Sequence, residues 1–211
     1  MLVERLARRG IKNPHVLAAF AAVPREAFVP EELHDRAYED GPLPIGEGQT
    51  ISQPYVVALT LQALELVPSD HVLDVGTGSG YAAAILARVV REVTSVERIP
   101  ALAEIARERL RLLGFHNVRI VVSDGTLGCA SYAPFDAIAV AAAGPQIPRA
   151  LKEQLTVGGR LVMPVGSKGE QYLVRVRRVA SDRWTTETLC AVSYVPLIGE
   201  QGWNGHSPWM H

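Results

Sequence analysis

Three closely spaced glycines mark the segment of this sequence whose chemistry is easiest to interpret. The segment reads VLDVGTGSGY, with Gly76, Gly78 and Gly80 between a predicted strand and a predicted helix. Because glycine has no Cβ atom, such a loop lets a ligand lie directly against the backbone at the carboxyl end of the strand. The glycines therefore predict a binding cleft for a small organic cofactor.

The spacing of the glycines distinguishes between two kinds of cofactor. Dinucleotide-binding loops follow GxGxxG, in which the third glycine helps to place a pyrophosphate at the helix N-terminus; here Tyr81 occupies that position. The pattern GxGxG after an acidic residue, Asp74, resembles motif I of class I methyltransferases, whose cofactor S-adenosyl-L-methionine carries no phosphate. The loop thus favours this cofactor, with S-adenosyl-L-homocysteine as its product, over the NAD of an oxidoreductase.

Acidic residues follow two further predicted strands. Glu97 ends the run VTSVE, where a carboxylate can accept hydrogen bonds from both hydroxyls of a ribose, which fits a dinucleotide and S-adenosyl-L-methionine equally well. Ser123, Asp124 and Gly125 follow the next strand, and the Asp124 carboxylate could accept a hydrogen bond from an adenine amino group. Because the carboxyl ends of parallel strands meet in one crevice, we expect these residues to lie beside the glycine loop.

Strands and helices are predicted to alternate around these residues. The predicted strands cover residues 71–75, 92–96, 118–122, 135–141 and 160–164. The predicted helices cover residues 81–91, 101–113 and 148–155, and the second of them places Leu102, Ile105 and Ala106 on one buried face. This alternation predicts an α/β fold: an open, twisted, mostly parallel Rossmann-like sheet with helices on both faces. Strands at 171–179 and 185–195 would add an antiparallel C-terminal edge.

The chain is expected to form a single domain over residues 1–211. Residues 1–69 are interpreted as helices and loops, with one helix opened by Asn13-Pro14 and another over 55–67. Residues 40–54 are rich in glycine and proline, which predicts a long loop. The cofactor-binding core is expected over 70–166, the C-terminal strands over 167–203 and a tail of unassigned role over 204–211.

The composition is typical of a globular protein and excludes few functions. Of the 211 residues, 48% are apolar and 20% charged, and a net charge of −1 gives no broad attraction to nucleic acid or to an anionic membrane. No apolar run is long enough to span a membrane, and the six histidines lack the spacing of metal ligands. Cys129 and Cys190 form no CxxC pair, which fits a reducing compartment. We expect a cytoplasmic monomer with no metal, nucleic-acid or membrane partner.

Four segments resemble one protein family. They are GEGQTISQPY at 46–55, VLDVGTGSGY at 72–81, AAAGPQIPRALKEQLTVGGRLVMPVG at 141–166 and YVPLIGEQGW at 194–203. Together they run in order over most of the chain and are similar to the protein-L-isoaspartate (D-aspartate) O-methyltransferases. The resemblance implies a repair enzyme that methylates the free carboxylate of L-isoaspartyl residues in damaged proteins and peptides, with D-aspartyl residues as a second candidate substrate.

The resemblance also implies roles for individual residues. Ser52, in the run TIS, matches the serine that the family holds near the isoaspartyl carboxylate, and is the candidate catalytic residue. The implied cofactor contacts are Thr50, Ile51, Asp74, Gly76, Thr77, Gly78, Gly80, Glu97, Arg98, Ser123, Asp124 and Gly125. The implied peptide contacts are Ser52, Ala142, Ala143, Val195, Pro196 and Leu197. Ser123 departs from the family pattern at the adenine contact, and Gly144 and Ser193 depart from it where substrate preference is decided.

Methyl transfer to a carboxylate needs little acid–base catalysis. A carboxylate has a pKa of about 4 and is already ionised at neutral pH, so no general base is required. The site must instead align and partly desolvate the reactants, and the Ser52 hydroxyl could orient one carboxylate oxygen. Taken alone, Ser52-Gln53-Pro54 before a helix is also typical of an N-cap, so a structural role stays open. The backbone near Val195 is a candidate for hydrogen bonds to an extended peptide.

Other functions also stay open. A class I methyltransferase that acts on RNA or on a small molecule would share the glycine loop, although it would lack the segments at 46–55 and 194–203. A non-catalytic module that binds S-adenosyl-L-methionine or holds a peptide would keep the cleft without turnover. Cofactor binding without methyl transfer would identify such a module.

Overall fold

A sheet of parallel strands with an antiparallel edge lies at the centre of the protein, in a computed structural model that describes residues 2–204. The strands are β1 (Leu43–Gly46), β2 (Gln49–Ile51), β3 (His71–Val75), β4 (Glu92–Glu97), β5 (Val118–Val122), β6 (Phe135–Val140), β7 (Leu155–Ser167), β8 (Glu170–Ala180) and β9 (Arg183–Val192). The central sheet has the order β5-β4-β3-β6-β7-β8-β9, and β1 and β2 pair separately. Strands β3 to β7 are parallel, and β8 and β9 are antiparallel to their neighbours. The predicted fold class is confirmed.

Helices cover this sheet. They are α1 (Leu2–Arg8), α2 (Pro14–Ala22), α3 (Pro54–Ala63), α4 (Tyr81–Ala87), α5 (Pro100–Leu112) and α6 (Arg149–Glu153), with short 3-10 turns at Arg25–Phe28, Glu31–Arg36, Gly125–Leu127 and Ala130–Tyr132. Helices α1 to α4 share one apolar core with Val72, whereas Leu73 belongs to a second core with Leu151 of α6. Adjacent residues of a strand point to opposite faces, so the two cores lie on opposite sides of the sheet. The tail expected at 204–211 lies outside the described residues from 205 onward.

The glycine- and proline-rich stretch at 40–54 is not a continuous loop. Its strands β1 and β2 form an antiparallel hairpin in which Leu43 pairs with Ile51. The turn residues Glu47 and Gly48 have φ angles of 52° and 66°, and two left-handed residues in succession are typical of a tight hairpin turn. The prediction of a long loop over the whole stretch was therefore wrong.

Several predicted boundaries and faces also differ. Ile105 is 51% exposed, because the buried stripe of α5 runs through Leu102, Ala106 and Leu110 and leaves Ile105 outside it. Strand β7 begins at Leu155 rather than at 160, with a register shift opposite residues 135–137 of β6. Strand β9 ends at Val192 rather than at 195, because the chain leaves the sheet there and pairs with residues beyond β6.

Helix α3 ends earlier than the predicted 67. It stops at Ala63, and Glu65 then takes a left-handed φ of 49°. The guanidinium of Arg160 donates to the carbonyls of Leu64 and Glu65 at 2.7 and 2.8 Å, and it also pairs with Asp70. These bonds satisfy carbonyls that the end of a helix leaves unpaired, and they fix α3 to the sheet.

Candidate active site

A cleft opens at the carboxyl ends of β3 and β6, where the strand order of the sheet reverses. It contains about 1010 Å³ of space outside protein atoms, part of it open to solvent. One side, the glycine-loop side, is formed by residues 74–79 with Glu97 and Gly125. The other, the Ser52 side, is formed by two segments: residues 46–55, which run from the end of β1 through β2 to the start of α3 and which we name the loop 46–55, and residues 194–203, which we name the C-terminal strap.

The glycine loop keeps the backbone open towards the cleft. Gly76, Gly78 and Gly80 have φ angles of 95°, 52° and 90°, a region that side chains with a Cβ atom disfavour. The Gly76 N–H donates to the Val96 carbonyl at 2.9 Å, which ties the loop to β4. The glycines that the sequence singles out are therefore required by the path of the backbone.

Glu97 is fixed at the end of β4 by backbone donors on both sides. Its Oε2 accepts from the Gly78 N–H at 2.9 Å, and its Oε1 accepts from the Ile99 N–H at 3.0 Å. The residue is 6% exposed and lines the cleft. Because each carboxylate oxygen has two acceptor sites, Glu97 can still accept hydrogen bonds from the hydroxyls of a bound ligand.

Asp74 ends a buried chain of hydroxyl groups. Its Oδ2 accepts from the Ser95 Oγ at 2.7 Å, and the Thr77 Oγ1 lies 2.5 Å from that same Ser95 oxygen. Its Oδ1 is buried and has no hydrogen-bond partner among the described residues. Burial raises the pKa of Asp74 to about 7, the bond from Ser95 opposes this, and the nearby Glu97 adds to it. A buried carboxylate in the cleft lining that has an unused acceptor and is disfavoured as an anion is suited to a cationic ligand.

Gly125 keeps the cleft wall free of a side chain. A Cβ atom at this position would lie 2.6 Å from the Cγ1 of Val75, which is itself 1% exposed and lines the cleft. Because valine is stiff at χ1 and tightly enclosed here, it cannot move aside. A glycine at 125 is thus needed for the observed shape of this wall.

Ser52 lies between β2 and α3, half-buried at the edge of the cleft. Its carbonyl accepts from the Arg25 guanidinium at 2.9 Å. The N-cap of α3 is Gln53, without a side-chain capping bond, so the interpretation of Ser52 as an N-cap is wrong. Its hydroxyl is therefore not needed to cap the helix.

The strap is attached to the rest of the protein at its start by a buried amide. The Oε1 of Gln171 accepts from the Tyr194 N–H at 2.7 Å, and its Nε2 donates to the Tyr194 carbonyl at 3.2 Å. Beyond this point Ala143 exchanges backbone bonds with Val195 and Leu197 at 2.8 and 2.9 Å. The Val195 carbonyl and the Leu197 N–H are thus used within the protein, which leaves fewer backbone groups for a peptide than the sequence suggested.

Asp124 holds the other end of the strap. Its Oδ1 accepts from the N–H and the hydroxyl of Thr126 at 2.8 and 2.7 Å, and its Oδ2 accepts from the Glu200 N–H at 2.8 Å. A Cβ atom on Gly199 would lie 2.1 Å from the Oδ1 of Asp124. The strap backbone therefore lies so close to this carboxylate that no side chain fits at position 199. The adenine contact expected of Asp124 stays a prediction, and its carboxylate is already engaged by protein donors.

Most of the predicted site residues line this one cleft. Those that do are Thr50, Ile51, Ser52, Asp74, Gly76, Thr77, Gly78, Glu97, Arg98, Gly125, Ala142, Val195, Pro196 and Leu197. Four predicted residues, Gly80, Ser123, Asp124 and Ala143, are not part of its lining and lie beside or behind it. Their assigned contacts with ligands remain predictions.

The sequence reasoning missed residues that the fold brings to the cleft. Thr60, Tyr81 and Tyr194 line it, and Ser95 and Arg25 support it from behind. Burial raises the pKa of Tyr81, against the effect of the neighbouring Arg25, and burial likewise raises that of Tyr194, against the effect of Thr60. A Thr in a helix or an Arg in an apolar stretch gives no local signal of such a position.

Comparison with known proteins decides the family. The sequence model of protein-L-isoaspartate(D-aspartate) O-methyltransferases, PCMT, matches residues 1–202. The chain belongs to this family. It is 56% identical over 204 residues to protein-L-isoaspartate O-methyltransferase 2 of Pelobacter propionicus, covering 96% of this chain and 91% of that protein. It is 54% identical over 202 residues to the enzyme of the same name from Roseiflexus sp. strain RS-1, covering 96% and 92%.

Solved structures agree with this assignment. One protein-L-isoaspartate O-methyltransferase superposes with a TM-score of 0.86 at 29% identity, over 95% of this chain and 66% of that longer one. A candidate enzyme of the same kind from Plasmodium falciparum, solved with S-adenosyl-L-homocysteine, gives 0.82 at 28% identity, over 93% and 96%. The family and the enzyme class expected from the four segments are confirmed.

No helix within residues 2–204 is long and apolar enough to cross a membrane. In the same part of the chain, His, Cys, Asp and Glu side chains form no group of three or more that could hold a metal ion.

Proposed function

We propose that this chain transfers the methyl group of S-adenosyl-L-methionine to the free carboxylate of L-isoaspartyl residues in damaged proteins and peptides, with D-aspartyl residues as a second acceptor. The observation that carries the proposal is a single cleft lined by Ser52 on one side and by Asp74 and Glu97 on the other. Membership of the family, and the activity that its relatives are named for, support it.

The residues of the glycine-loop side fit this cofactor. Glu97 would accept from the ribose hydroxyls, because its carboxylate is held in place yet keeps free acceptor sites. The unpartnered Oδ1 of Asp74 would take the cationic methionine end, where a charge partner offsets the cost of burying the carboxylate. Gly125 would leave room for the base. The loop lacks the third glycine that helps dinucleotide-binding proteins to hold a pyrophosphate. This fits a cofactor that has no phosphate.

Catalysis here depends on alignment. When bound, S-adenosyl-L-methionine supplies a sulfonium methyl group that a carboxylate oxygen takes with loss of a neutral thioether, so that no proton changes place. The Ser52 hydroxyl would donate to the other carboxylate oxygen and set its direction of approach. The strap would exclude water from this contact, since Leu197 is only 5% exposed. The methyl ester is more readily attacked than the carboxylate because it can expel a methoxy group. The neighbouring backbone nitrogen can therefore bond to the ester carbonyl and give up its proton to the departing methoxy group, so that a succinimide and methanol form without further help.

The peptide side of the cleft is apolar. Ala142, Val195, Pro196 and Leu197 line it together, and none of them carries a charge. Such a surface would discriminate little between the side chains that flank the damaged residue. We extend the proposal to a single-domain monomer that acts in the cytoplasm and needs neither nucleic acid, membrane nor metal.

The proposal is tested with two peptides that differ only in one isoaspartyl or aspartyl linkage. Incubated with methyl-labelled S-adenosyl-L-methionine, the isoaspartyl peptide alone should gain a base-labile methyl ester. Label on neither peptide, with cofactor binding intact, would leave a different methyl acceptor or a non-catalytic binder.

Replacing the Ser52 hydroxyl tests its role. Ser52→Ala should lower kcat about 100-fold, as loss of one aligned donor does in other active sites, while the affinity for S-adenosyl-L-homocysteine stays within about threefold. Ser181→Ala, in the turn between β8 and β9, is the matched control and should leave both unchanged. Unchanged turnover in Ser52→Ala would remove this residue from the chemistry.

A further inference from the structure

Arg25 is a fully buried cation. It begins the 3-10 turn Arg25–Phe28, and 0% of its surface is exposed. A cation is costly to bury unless its N–H groups find acceptors, and a neutral apolar residue would fill the same core space without that cost. A role in packing alone therefore gives no reason for a guanidinium at this position.

Two guanidinium nitrogens of Arg25 donate to backbone carbonyls in two different segments, and Nη1 is buried without a hydrogen-bond partner among the described residues. Its Nε donates to the Ala37 carbonyl at 2.8 Å, and its Nη2 donates to the Ser52 carbonyl at 2.9 Å. The guanidinium carbon also lies 4.9 Å from the centroid of the Tyr81 ring. Burial lowers the pKa of Arg25, and Tyr81 and Asp40 oppose this. The side chain thus joins the N-terminal region to the loop 46–55 and to the first residue of α4.

Two of these contacts belong to opposite sides of the cleft. Ser52 and Tyr81 both line it, and Tyr81 directly follows the last glycine of the glycine loop. A guanidinium is planar and presents its donors in a fixed fork. Because one nitrogen holds the Ser52 carbonyl while the guanidinium carbon lies 4.9 Å from the Tyr81 ring centroid, a rigid group spans the distance between the two sides.

The loop that carries Ser52 has little support from the sheet. Its strands β1 and β2 pair only with each other and not with the central sheet, and an isolated two-stranded hairpin is marginally stable. The Gln53 Nε2 donates to the Asp40 carbonyl at 3.0 Å, but Asp40 lies just before the same hairpin. That bond therefore does not relate Ser52 to the glycine loop, whereas the Arg25 contact does.

We propose that Arg25 is a positioning residue for methyl transfer, which holds the Ser52 backbone at a fixed distance from the glycine loop. This inference rests on the proposed function. Arg25 acts through Ser52 and contacts neither reactant, so its loss displaces the Ser52 hydroxyl. A displacement of about 1 Å can cost about 100-fold in rate. The glycine loop keeps its own bonds to Val96 and Glu97, so cofactor affinity depends on Arg25 only through Thr50 and Ile51 and should fall much less than the rate.

Two variants of Arg25 test the proposal. Arg25→Lys keeps the charge but cannot present two donors in a fork, and Arg25→Met keeps much of the volume and removes the buried charge. The second serves if the first fails to fold, because an apolar replacement of a buried cation is often tolerated. In each, kcat/KM for the isoaspartyl peptide should fall about 30-fold or more, within the range for a misaligned group. The Kd for S-adenosyl-L-homocysteine should change less than about threefold, since the glycine loop keeps its own bonds.

The matched control is Arg160→Lys. Arg160 is also largely buried, with a side chain 12% exposed, and it also holds backbone carbonyls, those of Leu64, Glu65 and Asp136. None of these partners lines the cleft. This variant should lower the melting temperature, as the Arg25 variants do, yet keep kcat/KM within about twofold when assayed well below that temperature, since only misalignment at the site costs rate.

Three results would overturn or support the positioning role of Arg25. Arg25 variants with kcat/KM within about threefold of the parent, or a loss equal to that of Arg160→Lys, would overturn the positioning role, since misalignment should cost far more. Parallel loss of cofactor affinity would also overturn it. If the parent chain methylates neither peptide, the proposed function fails, and hydrogen exchange of the amides at 50–53 decides on Arg25 instead: faster exchange in Arg25→Met but not in Arg160→Lys supports the anchor, and equal exchange removes it.

Discussion

The two sides of the cleft are built in different ways. On the glycine-loop side, the groups that face the ligand stand at the ends of adjacent parallel strands, and bonds such as Gly76 N–H to the Val96 carbonyl hold them. On the Ser52 side, the loop 46–55 and the strap come from distant parts of the chain, and the side chains of Arg25, Gln171 and Asp124 hold their backbones. The ends of neighbouring strands thus shape one side, whereas on the other side long-range side-chain contacts add to backbone bonds such as those of Ala143.

This difference implies that substitutions on the two sides of the cleft should affect different measured quantities. A substitution on the glycine-loop side should change the Kd for the cofactor and leave the KM for the isoaspartyl peptide nearly unchanged. A substitution among the anchors of the Ser52 side should do the reverse.

Loss of the Glu97 carboxylate should cause the largest change. Glu97→Ala removes the acceptor of the Gly78 and Ile99 N–H groups together with the proposed ribose contact. Because ligand hydroxyls that lose their acceptor on binding cost about 1–3 kcal/mol, the Kd for S-adenosyl-L-methionine, measured by calorimetry, should rise about 100-fold. Glu92→Ala, at the other end of β4 in an exposed pair with Arg119, should leave it unchanged. If Glu97→Ala changed the KM for the peptide more than the Kd for the cofactor, the two sides of the cleft would not act separately.

The strap anchor should give an intermediate effect. In Asp124→Asn the amide can still accept from Thr126, but its NH₂ group would face the Glu200 N–H. The strap should loosen, so that the KM for the isoaspartyl peptide rises about 10-fold while the Kd for the cofactor stays within about threefold. The opposite pattern, with weaker cofactor binding and an unchanged KM, would favour the adenine contact expected from the sequence.

The smallest effect should be a pH dependence of cofactor binding. Burial raises the pKa of Asp74 to about 7 in the free protein, and a cationic ligand favours its ionised form. The ionised fraction grows as pH rises through this value, so affinity for S-adenosyl-L-methionine should increase about threefold from pH 6.5 to pH 7.5. Titration at several pH values checks this, and Asp74→Asn should flatten the curve. A parent curve as flat as that of the variant would contradict the assignment.

The contrast between the two sides also explains what the sequence could predict. The fold and the glycine-loop side follow from local signals: apolar strands in regular alternation, glycines where φ must be left-handed, and acidic residues at the ends of strands. Asp74, Glu97 and Gly125 were found for these reasons, and all line the cleft. The four similar segments, rather than any rule of local structure, pointed to Ser52.

The anchors of the Ser52 side leave no comparable trace. Arg25 and Gln171 bond to backbone carbonyls and amides far away in the chain, and a backbone partner imposes no residue type that a pattern could reveal. The hairpin at 43–51 was missed because its glycines and prolines are equally typical of a loop. Asp124 was assigned to a ligand because nothing near it in sequence indicates that Glu200 would reach it.

The strap contains an intrinsic fluorophore, Trp203. The indole of Trp203 donates to the Ala143 carbonyl at 2.9 Å, beside residues that line the cleft. Indole emission shifts to longer wavelength when the ring moves into water. In a chain whose other tryptophans, Trp184 and Trp209, are replaced by phenylalanine, fluorescence would come from the strap alone. Any movement of the strap during turnover could then be followed in a stopped-flow spectrometer without attaching a dye.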